Sequence, residues 1–115
     1  MAIDKQHSCS YIVVIRDIQF EWDPTKNISN ISKHNVSFEE ASTVFSDKLY
    51  IEIADPDHSQ DEERFIAYGI SAQCRLLAVC YSAMKDDYIV RIISARKATA
   101  NETRQYGEKT NAGRI

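Results

Sequence analysis

Arg64, Arg91 and Arg96 are the side chains in this sequence whose type and surroundings best suit chemistry. Each falls in a strand-like run, and a guanidinium can grip a phosphodiester through two parallel hydrogen bonds. In the run Tyr88–Arg96, alternation puts Ile89, Arg91, Ile93 and Ala95 on one face and Tyr88, Val90, Ile92, Ser94 and Arg96 on the other. A regular strand therefore sends Arg91 and Arg96 to opposite sides, with one of them structural. Arg64 shares its face with Glu62, Ile66 and Tyr68. The competing account is a set of surface ion pairs between these arginines and the acidic loop at 55–63. His34 ends the first helix beside Lys33. It is either a proton-transfer group or a cap that only complements the helix dipole. Tyr106 follows a basic turn containing Arg104, and it either stacks on a base or packs back onto the sheet. Glu39 and Glu40 sit in the first turn of a helix, where the dipole accounts for them. His58 reads as a solvated loop residue and His7 as part of an unstructured lead-in. There is no phosphate-binding loop, no G-x-S-x-G and no H-E-x-x-H.

The elements that must position these groups follow from local signals. Ile12–Trp22 reads as a first strand. Asp23-Pro24 starts a helix, with Asp as N-cap and Pro at the first helical position. Ile28 and Ile31 form its expected apolar stripe, and Asn35 is a left-handed C-cap. Ser37-Phe38-Glu39-Glu40 is a capping box opening a second helix, with Val36 stapled to Ala41 and Phe38, Ala41 and Phe45 on one face. Leu49, Ile51 and Ile53 alternate with Lys48, Tyr50 and Glu52, as in a strand. Asp55-Pro56-Asp57-His58-Ser59 is a turn. Glu62–Gly69, Arg75–Ser82 and Tyr88–Arg96 follow as strands joined by short connections, hence antiparallel hairpins. Thr99-Ala100-Asn101-Glu102 is a second capping box, opening a last helix towards Tyr106; Gly107 onward reads as a frayed tail. The expected fold class is α+β: two N-terminal helices and a C-terminal helix packed on one face of a small, mostly antiparallel sheet.

Composition narrows the function classes. The 115 residues are 43% apolar and 27% charged, with three Gly and two Pro, which excludes a disordered or collagen-like chain and fits a single domain over 1–115. No apolar run approaches the length of a membrane span. The longest, Tyr11–Ile15, lacks the flanks of a secretory signal, so the expectation is a soluble cytoplasmic domain with no membrane partner. Cys9, Cys74 and Cys80 include no C-x-x-C, which suits a reducing compartment, and the His and Cys spacing suggests no metal site or other cofactor. Cys80 reads as a buried free thiol in an apolar strand. Net charge is −3, yet residues 91–115 carry six basic and two acidic side chains. An acidic body is a poor generic nucleic-acid binder, while a basic end can hold a polyanion locally or dock an acidic partner.

Several segments resemble BrnT-type toxins: Phe20-Glu21-Trp22-Asp23-Pro24, then Lys26, Asn30 and Lys33–Ala41; Asp55–Ser59 with Glu62–Phe65; and Arg91–Thr99 with Glu102 and Tyr106. The likeness covers 20–106, leaving 1–19 as a possible N-terminal extension (an extra strand, or upstream sequence read from an early initiation codon) and 107–115 as a tail. Asn35 stands where the family has Gly, and Asn tolerates the same left-handed turn. The resemblance implies a RelE-like ribonuclease fold and cleavage of RNA that arrests growth. It further implies neutralisation by a BrnA-like antitoxin with a ribbon-helix-helix DNA-binding domain, and promoter DNA bound through that antitoxin. The implied catalytic set is His34, Arg64, Arg91 and Arg96, with Lys33 and Tyr106 as RNA contacts and no metal. The alternative is a non-catalytic antitoxin-binding protein acting as corepressor, which the acidic net charge favours.

Overall fold

The computed structural model describes residues 11–15, 18–55, 63–83 and 89–114, with residues 11–15 and 111–114 described by their backbone alone. Its elements in chain order are β1 (Tyr11–Ile15), β2 (Ile18–Trp22), α1 (Pro24–His34), α2 (Phe38–Ser42), a 3₁₀ turn (Thr43–Ser46), β3 (Ile51–Ala54), β4 (Arg64–Ile70), β5 (Leu76–Ala83), β6 (Ile89–Lys97) and α3 (Ala100–Arg114). The strand expected over Ile12–Trp22 is thus two strands, β1 and β2, paired antiparallel from Tyr11↔Trp22 to Ile15↔Ile18. His7, Cys9, His58, the rest of the expected turn after Asp55, and Lys85–Asp87 lie outside the described residues.

Local signals account for the helix ends. The Thr25 N–H donates to the Asp23 carboxylate at 2.9 Å, and Asn35 closes α1 in the left-handed region at φ 59°, its N–H donating to the Ile31 carbonyl. The Glu40 N–H donates to Ser37 Oγ at 3.0 Å, which is half a capping box; the Glu40 side chain goes elsewhere, as described below. The box at α3 is complete. Glu102 N–H donates to Thr99 Oγ1 at 3.1 Å, and Thr99 N–H donates back to Glu102 Oε1 at 2.9 Å. Helix α3 continues past Gly107 to Arg114, with Thr110 buried, so the expected tail is helical.

Six strands form one mixed sheet in the order β1-β2-β6-β5-β4-β3. Four neighbouring pairs are antiparallel and β2 pairs with β6 in parallel, a crossover that α1, α2 and the hairpins between them make possible. The core lies between the sheet and the α2–3₁₀ segment. Phe20, Trp22, Val36, Phe38, Ala41, Val44, Leu77 and Val79 are fully buried there. Burying each large side chain in this set contributes about 2–3 kcal/mol. Phe45 packs its ring against Phe20, Tyr50 and Tyr81, with centroids 5.0–5.3 Å apart. The 3₁₀ turn sits so closely on β4 that a Cβ at Gly69 would lie 2.7 Å from Val44 Cγ1. Helix α3 packs on the opposite face, where Tyr106 meets Tyr68 and Ala78. The sheet is therefore covered on both sides, not on one, because the strand residues that alternate with the main core are themselves partly apolar.

Helix α1 faces the sheet with a polar residue. Ile28 and Ile31, the expected buried stripe, are 69% and 42% exposed, whereas Asn30 is buried. Strand β2 pairs with β6 only from Gln19↔Ile89 to Glu21↔Arg91, leaving the same edge of β6 unpaired further on. The Asn30 amide takes over there. Its Oδ1 accepts from the Ala95 N–H at 3.1 Å, and its Nδ2 donates to the Ala95 and Val36 carbonyls, both at 2.8 Å. Asn30→Ala leaves three buried backbone groups unmatched. A loss of about 2–4 kcal/mol is expected in denaturant unfolding. Asn30→Asp is expected to be no better, because a carboxylate cannot donate to two carbonyls. Wild-type midpoints in both variants would show that water replaces these bonds freely.

Candidate active site on the arginine face

The face shared with α3 is organised by register. At its outer end Arg64 lies opposite Ser82, and Ser82 opposite Arg91, which in turn lies opposite Glu21 of β2. Next come Ile53, Ile66, Cys80 and Ser94, paired across β3, β4, β5 and β6. Ile51, Tyr68, Ala78 and Arg96 form the last row, against α3. Arg64 and Arg91 are two strand spacings apart, about 10 Å between Cα atoms, within mutual reach of two extended guanidinium groups.

Arg91 and Arg96 share this face only because β6 is irregular. Cys80 pairs with Ser94 while Tyr81 pairs with Ile92, so Ile93 is an extra residue with no partner on β5. One inserted residue reverses the side-chain parity beyond it. A regular strand would have parted the two arginines; the bulge reunites them with each other and with Arg64.

Arg91 and Arg96 hold carboxylates. Arg91 Nη1 donates to Glu21 Oε2 at 2.8 Å, and Arg96 donates through both terminal nitrogens to Glu102, at 2.8 and 3.0 Å. These partners come from β2 and α3. Both arginines keep about two fifths of the side chain exposed (37% and 40%), so each can still present a guanidinium edge to a ligand. Glu102 also accepts from the Tyr68 hydroxyl at 3.2 Å. The Arg96 fork drives its carboxyl down to about 2, assisted by the Thr99 N–H and opposed by burial. Burial, reinforced by Glu102, pushes the Tyr68 hydroxyl up.

The sign of this shift gives a pH test. Because the folded value lies below the ordinary one, Glu102 stabilises the fold fully above about pH 4.5 and loses that contribution as pH falls towards 2. Glu102→Gln is expected to flatten the acid limb of a Tm-versus-pH curve in that window. An unchanged limb would remove the pair from the acid response.

Cys80, in the middle row, donates weakly to the Asp55 carboxylate at 3.8 Å. Burial first and Asp55 second raise its thiol, which therefore stays protonated and is a poor nucleophile. Tyr106 is buried, and its hydroxyl donates to Asp47; of the two fates open to it, it packs onto the sheet, which keeps its ring inside the protein and away from a base. His34 and Lys33 lie exposed at the end of α1, lining a cleft with Ile93 and Ser94 of β6. Ser94 belongs to the arginine face, so the cleft and that face are continuous along β6.

The parts that three residues play in the structure escape a reading of residue types and motifs. Glu40 is not a simple dipole residue. It is buried at 2% side-chain exposure and gripped by Arg75, whose Nε donates to Oε2 at 2.9 Å and whose Nη2 donates to Oε1 and to the Asn35 carbonyl. Ser71 Oγ donates to the same carboxylate at 2.7 Å. Arg75 holds the Glu40 carboxyl below the usual carboxylate range against the opposing effect of burial. Glu21 and Asn30 are legible only as parts of motifs. A charged residue at a buried-helix position with a distant arginine is the one signal that could flag Glu40.

Residues 22–102 match the family described as "Ribonuclease toxin, BrnT, of type II toxin-antitoxin system". No protein with a curated description matches the chain. The crystal structure of the Brucella abortus ribonuclease toxin BrnT is 24% identical, with 68% of this chain aligned to 92% of that one at a TM-score of 0.49. Among the described residues no helix is long and apolar enough to cross a membrane. With residues 22–102 inside the family's pattern, and Arg64, Arg91, Arg96 and the capping residues Asp23, Ser37 and Thr99 within that span, the chain belongs to the BrnT family of ribonuclease toxins of type II toxin–antitoxin systems.

Proposed function

We propose that this toxin is a metal-independent endoribonuclease of RelE-like fold that cleaves RNA and so arrests translation and growth. A BrnA-like antitoxin with a ribbon-helix-helix domain neutralises it and carries the complex to promoter DNA. The observation that carries the catalytic reading is the β6 bulge, which gathers Arg64, Arg91 and Arg96 on one face. In the proposed step the ribose 2′-OH attacks the adjacent phosphate, giving a five-coordinate phosphorus. The 5′-oxygen then leaves with a proton, and the products end in a 2′,3′-cyclic phosphate and a 5′-hydroxyl. The arginines stabilise the charge that accumulates on phosphorus, His34 transfers protons, and Lys33 contacts a phosphate. Tyr106 supports the site indirectly, by holding α3 against β4.

Incubating the purified chain with RNA in EDTA tests this. Fragments with cyclic phosphate ends, absent for His34→Ala, are the expected result. The pairing of Arg91 with Glu21 and of Arg96 with Glu102 favours a second reading, a corepressor without nuclease activity. Intact RNA together with tight antitoxin binding would select it.

A further inference from the structure

The cations on α1 differ from those on the sheet in one respect. Among the described residues Arg75, Arg91 and Arg96 each hold a carboxylate, whereas Lys26, Lys33 and His34 stand in no ion pair. All three line the cleft of about 200 Å³ between α1 and β6, together with Ser29, Ile93 and Ser94. Lys26 and Lys33 are seven residues apart, two turns along one helix face, with Ser29 between them. Lys26 stands in the first turn of α1, where the helix dipole itself favours an anion. Across the cleft is the bulge, the feature that most often re-aims strand residues beside a functional site. It directs Ser94 onto the same face as Arg91 and Arg96. Among the described residues nothing acidic lines the cleft. On a chain with a net charge of −3, such a basic recess can hold a polyanion locally.

We propose that this cleft seats a backbone phosphate of bound single-stranded RNA, next to the phosphate that is cut. The Lys26 and Lys33 ammonium groups and the Ser94 hydroxyl hold it, with Ser29 beside them. Lys26, Ser29 and Ser94 thereby join the site as binding residues that set RNA affinity and register, while the arginines act on the reacting phosphate. The inference rests on the ribonuclease reading above.

The test uses the full chain and a fluorescent 2′-O-methyl oligoribonucleotide, which has no 2′-OH and is not cut. Lys26→Glu is expected to raise Kd about tenfold, the size of one charge-assisted hydrogen bond. The slope of log affinity against log salt should fall by at least about 0.7, the share of one neutralised phosphate on a single strand, because the glutamate also repels the phosphate. Lys26→Arg should restore both, and Ser94→Ala should weaken binding without changing the slope. With cleavable RNA the defect falls more on KM than on kcat. Unchanged Kd and slope in Lys26→Glu, alongside a wild type that binds and cleaves RNA, would overturn the cleft proposal alone. A wild type that neither binds the oligonucleotide nor cleaves RNA would overturn the ribonuclease reading as well.

Discussion

Arg64→Ala and Arg96→Ala are each expected to lower RNA cleavage by roughly 10²- to 10³-fold and to relieve growth arrest, with the chain still folded. That magnitude is typical of removing one preorganised charge-stabilising donor from a reacting centre. Arg64 begins β4 and Arg96 lies near the end of β6, each half-buried on a rim of the sheet face, so neither truncation opens the main core. Removing Arg96 leaves Glu102 its bonds to the Thr99 N–H and the Tyr68 hydroxyl, which keep α3 capped. Circular dichroism and a cooperative melt check the fold, and single-turnover cleavage checks the chemistry. Arg96→Lys separates charge from geometry: an ammonium keeps the charge and loses the two-pronged grip, so partial activity is expected. If both alanine variants stay fully toxic, the assignment of this face to catalysis is wrong.

Arg75→Met should produce the largest stability change, a fall in Tm of roughly 10 °C or more at neutral pH. Methionine fills similar volume but orphans a carboxylate that is almost wholly buried. The variant should also reverse the local pH dependence. In the wild type Arg75 depresses Glu40, whose contribution is therefore present above the ordinary carboxylate value and lost on acidification. Without Arg75, burial prevails and the Glu40 value rises above the ordinary one. Stability is then fullest in acid and lost as pH climbs. Tm measured between pH 4 and 7 should accordingly rise for the wild type and rise less, or fall, for Arg75→Met. Restoration by the double variant Glu40→Gln/Arg75→Met would confirm that the orphaned charge is the cause. Parallel curves for wild type and Arg75→Met would show that water reaches Glu40 and solvates it.

About half of the candidate site is legible in the sequence. Residue type and the BrnT resemblance put Arg64, Lys33 and His34 forward as candidates, and Asp23, Asn35 and Thr99 mark helix ends that form as expected. Alternation misplaces Arg91 and Arg96 relative to each other, because it assumes a regular strand and a bulge leaves no mark on composition or spacing. The stripe of Ile28 and Ile31 misleads for a similar reason. Apolar spacing favours the isoleucines, but the unpaired edge of β6 binds Asn30 more strongly than solvent exposure penalises two isoleucines.

By itself the sequence determined what depends on a few consecutive residues: the caps, the extents of most strands, the family, and the chemical kind of each candidate side chain. Tertiary structure alone decided which of those groups meet. It set the common face of the three arginines, the seat of α3 on that face, the Glu40–Arg75 pair 35 residues apart, and the carboxylates on Arg91 and Arg96. The division follows from range. Capping and alternation are energies of neighbours in the chain, whereas register, bulges and buried ion pairs are settled only when distant strands compete for the same backbone donors and the same desolvated space.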